Sequence, residues 1–431
     1  MTGNSGEHCH WRKIDDNYAA PEDPMKRSLV LAMLCISLIA ALAACSKKQP
    51  LSPIETLGKR LFFDANLSQP TGQSCATCHA RPGGWAGPDS EINRTTAVYP
   101  GAQTPRFGNR KPPTASYAGF SPKLHINKDG DFVGGMFWDG RAHGGDLGDP
   151  LAEQAMGPFL NPLEQNLPDK KETVRRVAAA DYAALFREVW GPDSLSERDA
   201  DAAYVKIAKS IAAYERSHEL NPFNSRFDDF WRKAVAAGRA VDKIDEKNMA
   251  TFTGLGLSDR EVRGLMLFNK KGKCAECHVL TTPGPHPPLF TDFTYDNLGT
   301  PRNPRNPFYT QEKQWNPDGA KWADPGLGGF LKGDPRFARH AAANMGKHKV
   351  PTLRNVDLRE PENLVKAYLH NGVFTSLKEV VDFYNTRDRD KKRWGPPEVS
   401  ANVNTEELGD LKLTDDEVGA IVDFMKTLSD R

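Results

Sequence analysis

The pattern Cys-x-x-Cys-His occurs twice in this 431-residue chain, as Cys75-Ala76-Thr77-Cys78-His79 and as Cys274-Ala275-Glu276-Cys277-His278. A Cys-x-x-Cys pair alone suits a redox dithiol or half of a zinc site. Two copies, each with histidine in the fifth position, are the attachment signature of c-type haem. The cysteines form thioethers with the porphyrin vinyl groups and the histidine becomes an axial iron ligand. A chain that wraps two such groups needs helices joined by long ordered loops that form crevices. Its 32 prolines and 36 glycines suit that requirement. The three other cysteines, Cys9, Cys35 and Cys45, leave no pair for a structural disulfide.

From Met25 onward the sequence reads as an export signal. Lys26 and Arg27 form a positive start, and an apolar run covers 29–44. Leu42-Ala43-Ala44-Cys45 resembles the bacterial lipobox, which makes 25–44 a lipoprotein signal peptide, Cys45 the lipidated residue and 45–52 a linker. The other reading is a transmembrane anchor, for which the run is slightly short. Either reading holds the folded part at a membrane face in the periplasm. Residues 1–24 carry no export logic and read as an upstream extension from a misassigned start. Lys plus Arg (57) nearly balance Asp plus Glu (56), so no strong field favours nucleic acid. With 39% hydrophobic and 26% charged residues, the remainder reads as a soluble globular protein.

The segments ahead of the two motifs resemble each other. Ser52-Pro53-Ile54-Glu55 and Ser258-Asp259-Arg260-Glu261 are both capping boxes, and each leads into a helical Gly-x-x-Leu-Phe, at Gly58 to Phe62 and at Gly264 to Phe268. Between them, 174–190, 202–214 and 227–237 carry the 3.6-residue period, with Val205, Ala208, Ile211 and Ala212 on one face. The aromatic residues Tyr182, Phe186, Phe227, Phe230 and Trp231 read as core. A third capping box, Thr414-Asp415-Asp416-Glu417, opens a final helix expected to bury Val418, Ile421, Val422, Met425 and Leu428. Strand signals are sparse. The expected fold is mainly α, with two cytochrome-c-like haem domains and long ordered loops. Residues 53–255 form an N-terminal haem domain and 256–431 a C-terminal one, the boundary falling near 249–257.

Several further motifs are specific. Trp138-Asp139-Gly140-Arg141, Glu153-Gln154-Ala155-Met156-Gly157-Pro158 and Asn161-Pro162-Leu163-Glu164 are followed by Tyr214-Glu215-Arg216, Phe290-Thr291-Asp292, Lys349 to Val356 and Tyr368-Leu369-His370-Asn371-Gly372. In these motifs, over roughly 53–430, the chain resembles the bacterial dihaem cytochrome c peroxidase and MauG family. The resemblance implies that Glu164 is the acid–base residue above the N-terminal haem, that Gln154 is its hydrogen-bonding neighbour, and that Trp138 bridges the haems for electron transfer. It implies two covalent haem c groups, held by Cys75, Cys78 and His79 and by Cys274, Cys277 and His278.

Many family peroxidases place a histidine on the N-terminal haem from a loop after the first motif. Here 80–124 contains no histidine, so this haem is expected to be open. His125 and His143 are candidate distal residues, with surface or supporting roles as the other reading. For the second haem, the family's methionine falls fourteen residues after the motif histidine, which here is Tyr384, as in the MauG branch. Met345 is the alternative ligand. A phenolate stabilises the higher oxidation states of iron, whereas methionine raises the potential. The family's calcium site draws on an asparagine in Arg-Asn-x-Pro-Thr and on carbonyls in Thr-Ala-Pro-Tyr. The corresponding residues here are Arg110-Lys111-Pro112-Pro113-Thr114 and Val365-Lys366-Ala367-Tyr368, which disfavours calcium.

Three functions fit this pattern. One is reduction of hydrogen peroxide, with electrons relayed through the C-terminal haem from a small cytochrome c or cupredoxin donor. The second is a MauG-like oxidation of aromatic residues on a partner protein. The third is a non-catalytic electron carrier, which would have no need of Gln154 and Glu164.

Overall fold

The computed structural model describes residues 50–431. The upstream extension, the signal segment and Cys45 lie outside the described residues. No helix among the described residues is long and apolar enough to cross a membrane.

The chain is mainly helical. Its named strands are four two-residue pieces in two antiparallel ladders, His125–Ile126 with Phe132–Val133 and Tyr295–Asp296 with His348–Lys349. The three expected capping boxes start helices Pro53–Phe62, Asp259–Asn269 and Asp415–Lys426. Two further boxes, at Ser225 and Ser376, start Arg226–Ala236 and Leu377–Thr386. The periodic stretch 174–190 is two helices, Lys170–Ala179 and Ala183–Trp190. The break falls where Ala180 turns extended and the Tyr182 hydroxyl donates to Asp64 Oδ2 at 2.5 Å, fixing that ring in the core.

Two hydrophobic cores repeat one device. Helix Pro53–Phe62 crosses helix Ala200–Glu215 at Gly58, where a Cβ would lie 1.9 Å from the Ser210 carbonyl oxygen and 2.8 Å from Tyr214 Cβ. Helix Asp259–Asn269 crosses helix Asp415–Lys426 at Gly264, where a Cβ would lie 2.0 Å from the Ala420 oxygen and 2.9 Å from Phe424 Cβ. In both places the glycine of Gly-x-x-Leu-Phe meets residues four apart on its partner. The following Leu61, Phe62, Leu267 and Phe268 are then buried. Helix Ala200–Glu215 is covered on more than the expected face, burying Ala203, Tyr204 and Ile207 while Val205 is only half-buried. It packs against Pro53–Phe62 on one side and Pro150–Leu160 on another. In the final helix Val422 is likewise half-buried, and Phe424 takes the central position.

Helix Arg226–Ala236, which the expected boundary groups with the N-terminal half, contributes Phe227, Phe230 and Ala234 to the second core. Within 249–257, Phe252 and Leu257 are buried in that core too. Arg354, from the Lys-Val-Pro-Thr-Leu-Arg-Asn segment, ties this helix in. Its guanidinium pairs with both Asp228 oxygens at 2.9 and 2.7 Å, with both side chains fully buried.

Candidate functional site

Each Cys-x-x-Cys-His motif lies in the wall of its own large cavity. Cys75–Cys78 form one helical turn that leaves Cys75, Cys78 and His79 on a cavity of about 1330 Å³, open on one side. Cys274, Cys277 and His278 line a second of about 1500 Å³.

Glu164 and Gln154 both line the first cavity. Gln154 sits on helix Pro150–Leu160, whose N-cap Asp149 is bridged by Arg216 at 2.7 and 2.9 Å. The Tyr-Glu-Arg motif thus holds the Gln154 helix in place. Glu164 follows on a loop closed by its own amide, which donates to the Asn161 carbonyl at 3.0 Å. The Glu164 carbonyl accepts from Ala102 at 2.8 Å. Gly101 permits that approach, for a Cβ there would lie 2.5 Å from the Leu163 oxygen. Burial pushes the Glu164 carboxyl up, opposed by the Arg141 charge and a hydrogen bond with Asn161. Glu215 lines the same cavity, with Oε2 buried and unbonded. Burial pushes its carboxyl up to about 8.

Trp138 stands in the wall of both cavities, as do Lys111, Pro113 and Thr114. The indole Nε1–H donates to the Lys111 carbonyl at 2.9 Å, and the Trp138 carbonyl accepts from the Lys349 amide at 2.9 Å. Asp139 beside it binds Arg110 at 2.6 Å, and Arg110 grips Asp324 with two bonds of 2.7 Å. The indole is thereby fixed from both backbone and side chain.

In the second cavity Tyr384 projects from helix Leu377–Thr386 into the wall that also holds Cys274, Cys277 and His278. Burial pushes its phenol up, so a phenolate there needs a cation to hold it. Met345 instead packs against helix Gly326–Gly333, its sulfur 2.7 Å from where a Gly328 Cβ would stand. His125 is exposed, and its Nδ1 lies 2.9 Å from the Lys123 carbonyl oxygen. His143 accepts from the Gly145 amide and meets Arg336, away from the first cavity's wall. Among the described residues His79 is the sole histidine lining that cavity.

These walls fit haem. His278 Nδ1 donates to the Phe290 carbonyl at 2.8 Å, which fixes the tautomer that leaves Nε2 as the metal-binding nitrogen. Burial lowers both His79 and His278 to about 4, so each is a neutral imidazole, the form that can ligate a metal. The four cysteines are unbridged, and burial raises all of them, Cys78 and Cys274 to about 12. Thiols held neutral in this way are not reactive thiolates. His370 Nε2, Glu215 Oε2 and the Gln165 amide are buried without partners, as expected beside an occupant with polar edges.

Some of these wall residues escape sequence reasoning. Met136 lines the first cavity and Met425 the second; Met425 reads in sequence only as a buried residue of the final helix. His348 and His370 stack at 3.5 Å and 8° in the second wall, a pairing that only the fold creates.

Residues 53–236 match the family described as di-haem cytochrome c peroxidase. The chain is 34% identical to the methylamine utilization protein MauG of Paracoccus denitrificans, over 94% of this chain and 96% of that protein. It is 27% identical to the cytochrome c551 peroxidase of Nitrosomonas europaea, over 94% and 92%. Among solved structures it resembles the diheme peroxidase BthA of Burkholderia thailandensis, at 29% identity and a TM-score of 0.70, covering 89% of this chain and 87% of that one.

Proposed function

Since the chain belongs to the di-haem cytochrome c peroxidase and MauG family of oxidoreductases, we propose that it reduces hydrogen peroxide to water at the first cavity. Electrons would arrive through the second cavity from a small cytochrome c or cupredoxin. The observation that carries this reading is the convergence of Glu164 and Gln154 on the cavity of Cys75, Cys78 and His79, with no second histidine in its described wall.

When bound, haem supplies the redox-active iron and the face to which peroxide binds. Glu164 takes the proton from the inner peroxide oxygen and delivers it to the outer one, so that the O–O bond breaks with water as the leaving group. Two electrons and two further protons complete the conversion of peroxide into two waters. Burial raises the proton affinity of the Glu164 carboxyl, the direction that favours its taking up the proton. Gln154 orients the peroxide by hydrogen bonding, and Trp138, common to both walls, carries electrons between the sites. Replacing Glu164 with Gln is expected to lower kcat/KM for peroxide by about 10²–10⁴ while both haem spectra persist. Full turnover in Glu164→Gln would contradict the assignment.

A second reading is favoured by Tyr384 in the second wall and by the extent of the MauG similarity. In it the same peroxide chemistry withdraws electrons from aromatic residues of a partner protein. Peroxide-dependent oxidation of a reduced small cytochrome supports the first reading, and its absence with an intact peroxide reaction supports the second. The periplasm and a lipid anchor at Cys45 complete the proposal, and a Cys45→Ser variant released from membranes would support the anchor.

A further inference from the structure

Three lysines line the second cavity, Lys366 buried and Lys111 and Lys349 half-buried, and oxygens other than carboxylates receive them. Lys366 is 6% exposed, and its ammonium donates to the carbonyls of Asn355 at 3.0 Å and Leu358 at 3.2 Å. Lys111 donates to the Pro112 carbonyl at 3.0 Å, and Lys349 to the Ser121 hydroxyl and the Gly135 carbonyl. Cations buried this way are rare, because desolvation penalises each of them.

Lys111 and Lys366 occupy the two segments from which the family draws its calcium ligands, and the fold brings those segments together. The Lys111 amide donates to the His370 carbonyl at 2.9 Å. Gly84, just after the first motif, closes the space: a Cβ there would lie 2.4 Å from the Asn355 oxygen and 2.8 Å from Lys366 Nζ. Calcium needs six to eight oxygens, usually with carboxylates among them. Here two inward carbonyls are taken by the ammonium. The nearby acid Asp357 accepts from Arg359 at 2.8 Å and from Tyr368 at 3.2 Å. The residues present do not fit a calcium ion.

We propose that the Lys366 ammonium, backed by Lys111, is a built-in cation that takes the place of a divalent metal in the partition between the two cavities. Burial, with the Lys111 charge adding to it, pushes Lys366 down to about 7, and the ammonium already occupies the two carbonyls that a cation would need. Lys111 Nζ also stands 5.8 Å from the centre of the Trp138 ring. A positive charge there opposes removal of an electron from the indole and favours the reduced state of a neighbouring redox group. These lysines are positioning residues, and their role is independent of which oxidation the family member performs.

The test uses the haem-loaded protein at pH 6, where both lysines are charged. Exhaustive dialysis against EGTA is expected to leave the ferric electron paramagnetic resonance spectrum unchanged, and calorimetric titration with calcium chloride to show no tight site. Lys366→Met is expected to lower the reduction potential of at least one haem, and Lys366→Arg to retain the wild-type value. A wild-type protein that binds one calcium tightly, or that loses its spectrum on chelation and regains it with calcium, overturns the proposal. Wild-type potentials in Lys366→Met do the same. If that variant does not fold, Lys111→Met carries the potential measurement, and the chelation result stands on the wild type.

Discussion

Glu215 illustrates how a single buried group sets a pH dependence. Its carboxyl rises from 4.5 to about 8, first through burial, with Arg216 opposing and Asp149 assisting. An acid whose folded value lies above its unfolded one binds its proton more tightly in the fold. The stability this confers is complete below about 4.5 and is lost progressively as pH rises to about 8. Glu215→Gln, neutral at every pH, is expected to flatten the fall of Tm between about pH 5 and 8 and to stabilise the protein at pH 8 by on the order of a few kcal/mol. An unchanged slope in thermal melts would contradict this. Single residues were unequally legible in the sequence. Glu164, Gln154, Trp138 and Tyr384 stand inside motifs whose spacing is specific, and all four line cavity walls. Lys366 and Lys111 belong to loops where lysine ordinarily means solvent, and closure by Gly84 and the Asn355–Leu358 turn buries Lys366. Met136 and Met425 carried no signal because a lone methionine in a core looks the same as one beside a cofactor.

At the scale of elements, the recurrent glycine ahead of each haem motif is a helix-crossing device. Gly58 and Gly264 let two backbones approach until a Cβ would fall about 2 Å from a carbonyl oxygen, at 1.9 and 2.0 Å. Backbone cannot yield as a side chain tip can, so Gly58→Ala and Gly264→Ala are each expected to destabilise by about 2–3 kcal/mol or more in denaturant unfolding. Gly58→Ala should disturb the first haem's absorption and Gly264→Ala the second's; equal stability to wild type would refute the crossing argument. The sequence displayed the repeat and the capping boxes, because both are local patterns. It did not display which helices are crossed, or that Arg226–Ala236 packs in the second core. That placement brings with it the Arg354–Asp228 ion pair, whose partners are joined only by the fold.

For the whole molecule, two cavities share a wall built from Trp138, Lys111, Pro113 and Thr114. One carries Glu164 and Gln154, the other Tyr384, and in the proposed reading this difference gives the two cavities different tasks. Peroxide chemistry at the first requires an iron with one open face, since a second strong axial ligand would block substrate. Met136 is the methionine in the first wall, and Tyr384 is the residue expected to complete the second. The most direct measurement is low-temperature electron paramagnetic resonance of the ferric protein, before and after peroxide, with Tyr384→Phe and Met136→Leu variants alongside. A high-spin signal that disappears on adding peroxide and is unaffected by Met136→Leu, beside a low-spin signal that changes in Tyr384→Phe alone, is the predicted result. Two low-spin signals, with a high-spin one released only by Met136→Leu, would contradict an open peroxide site.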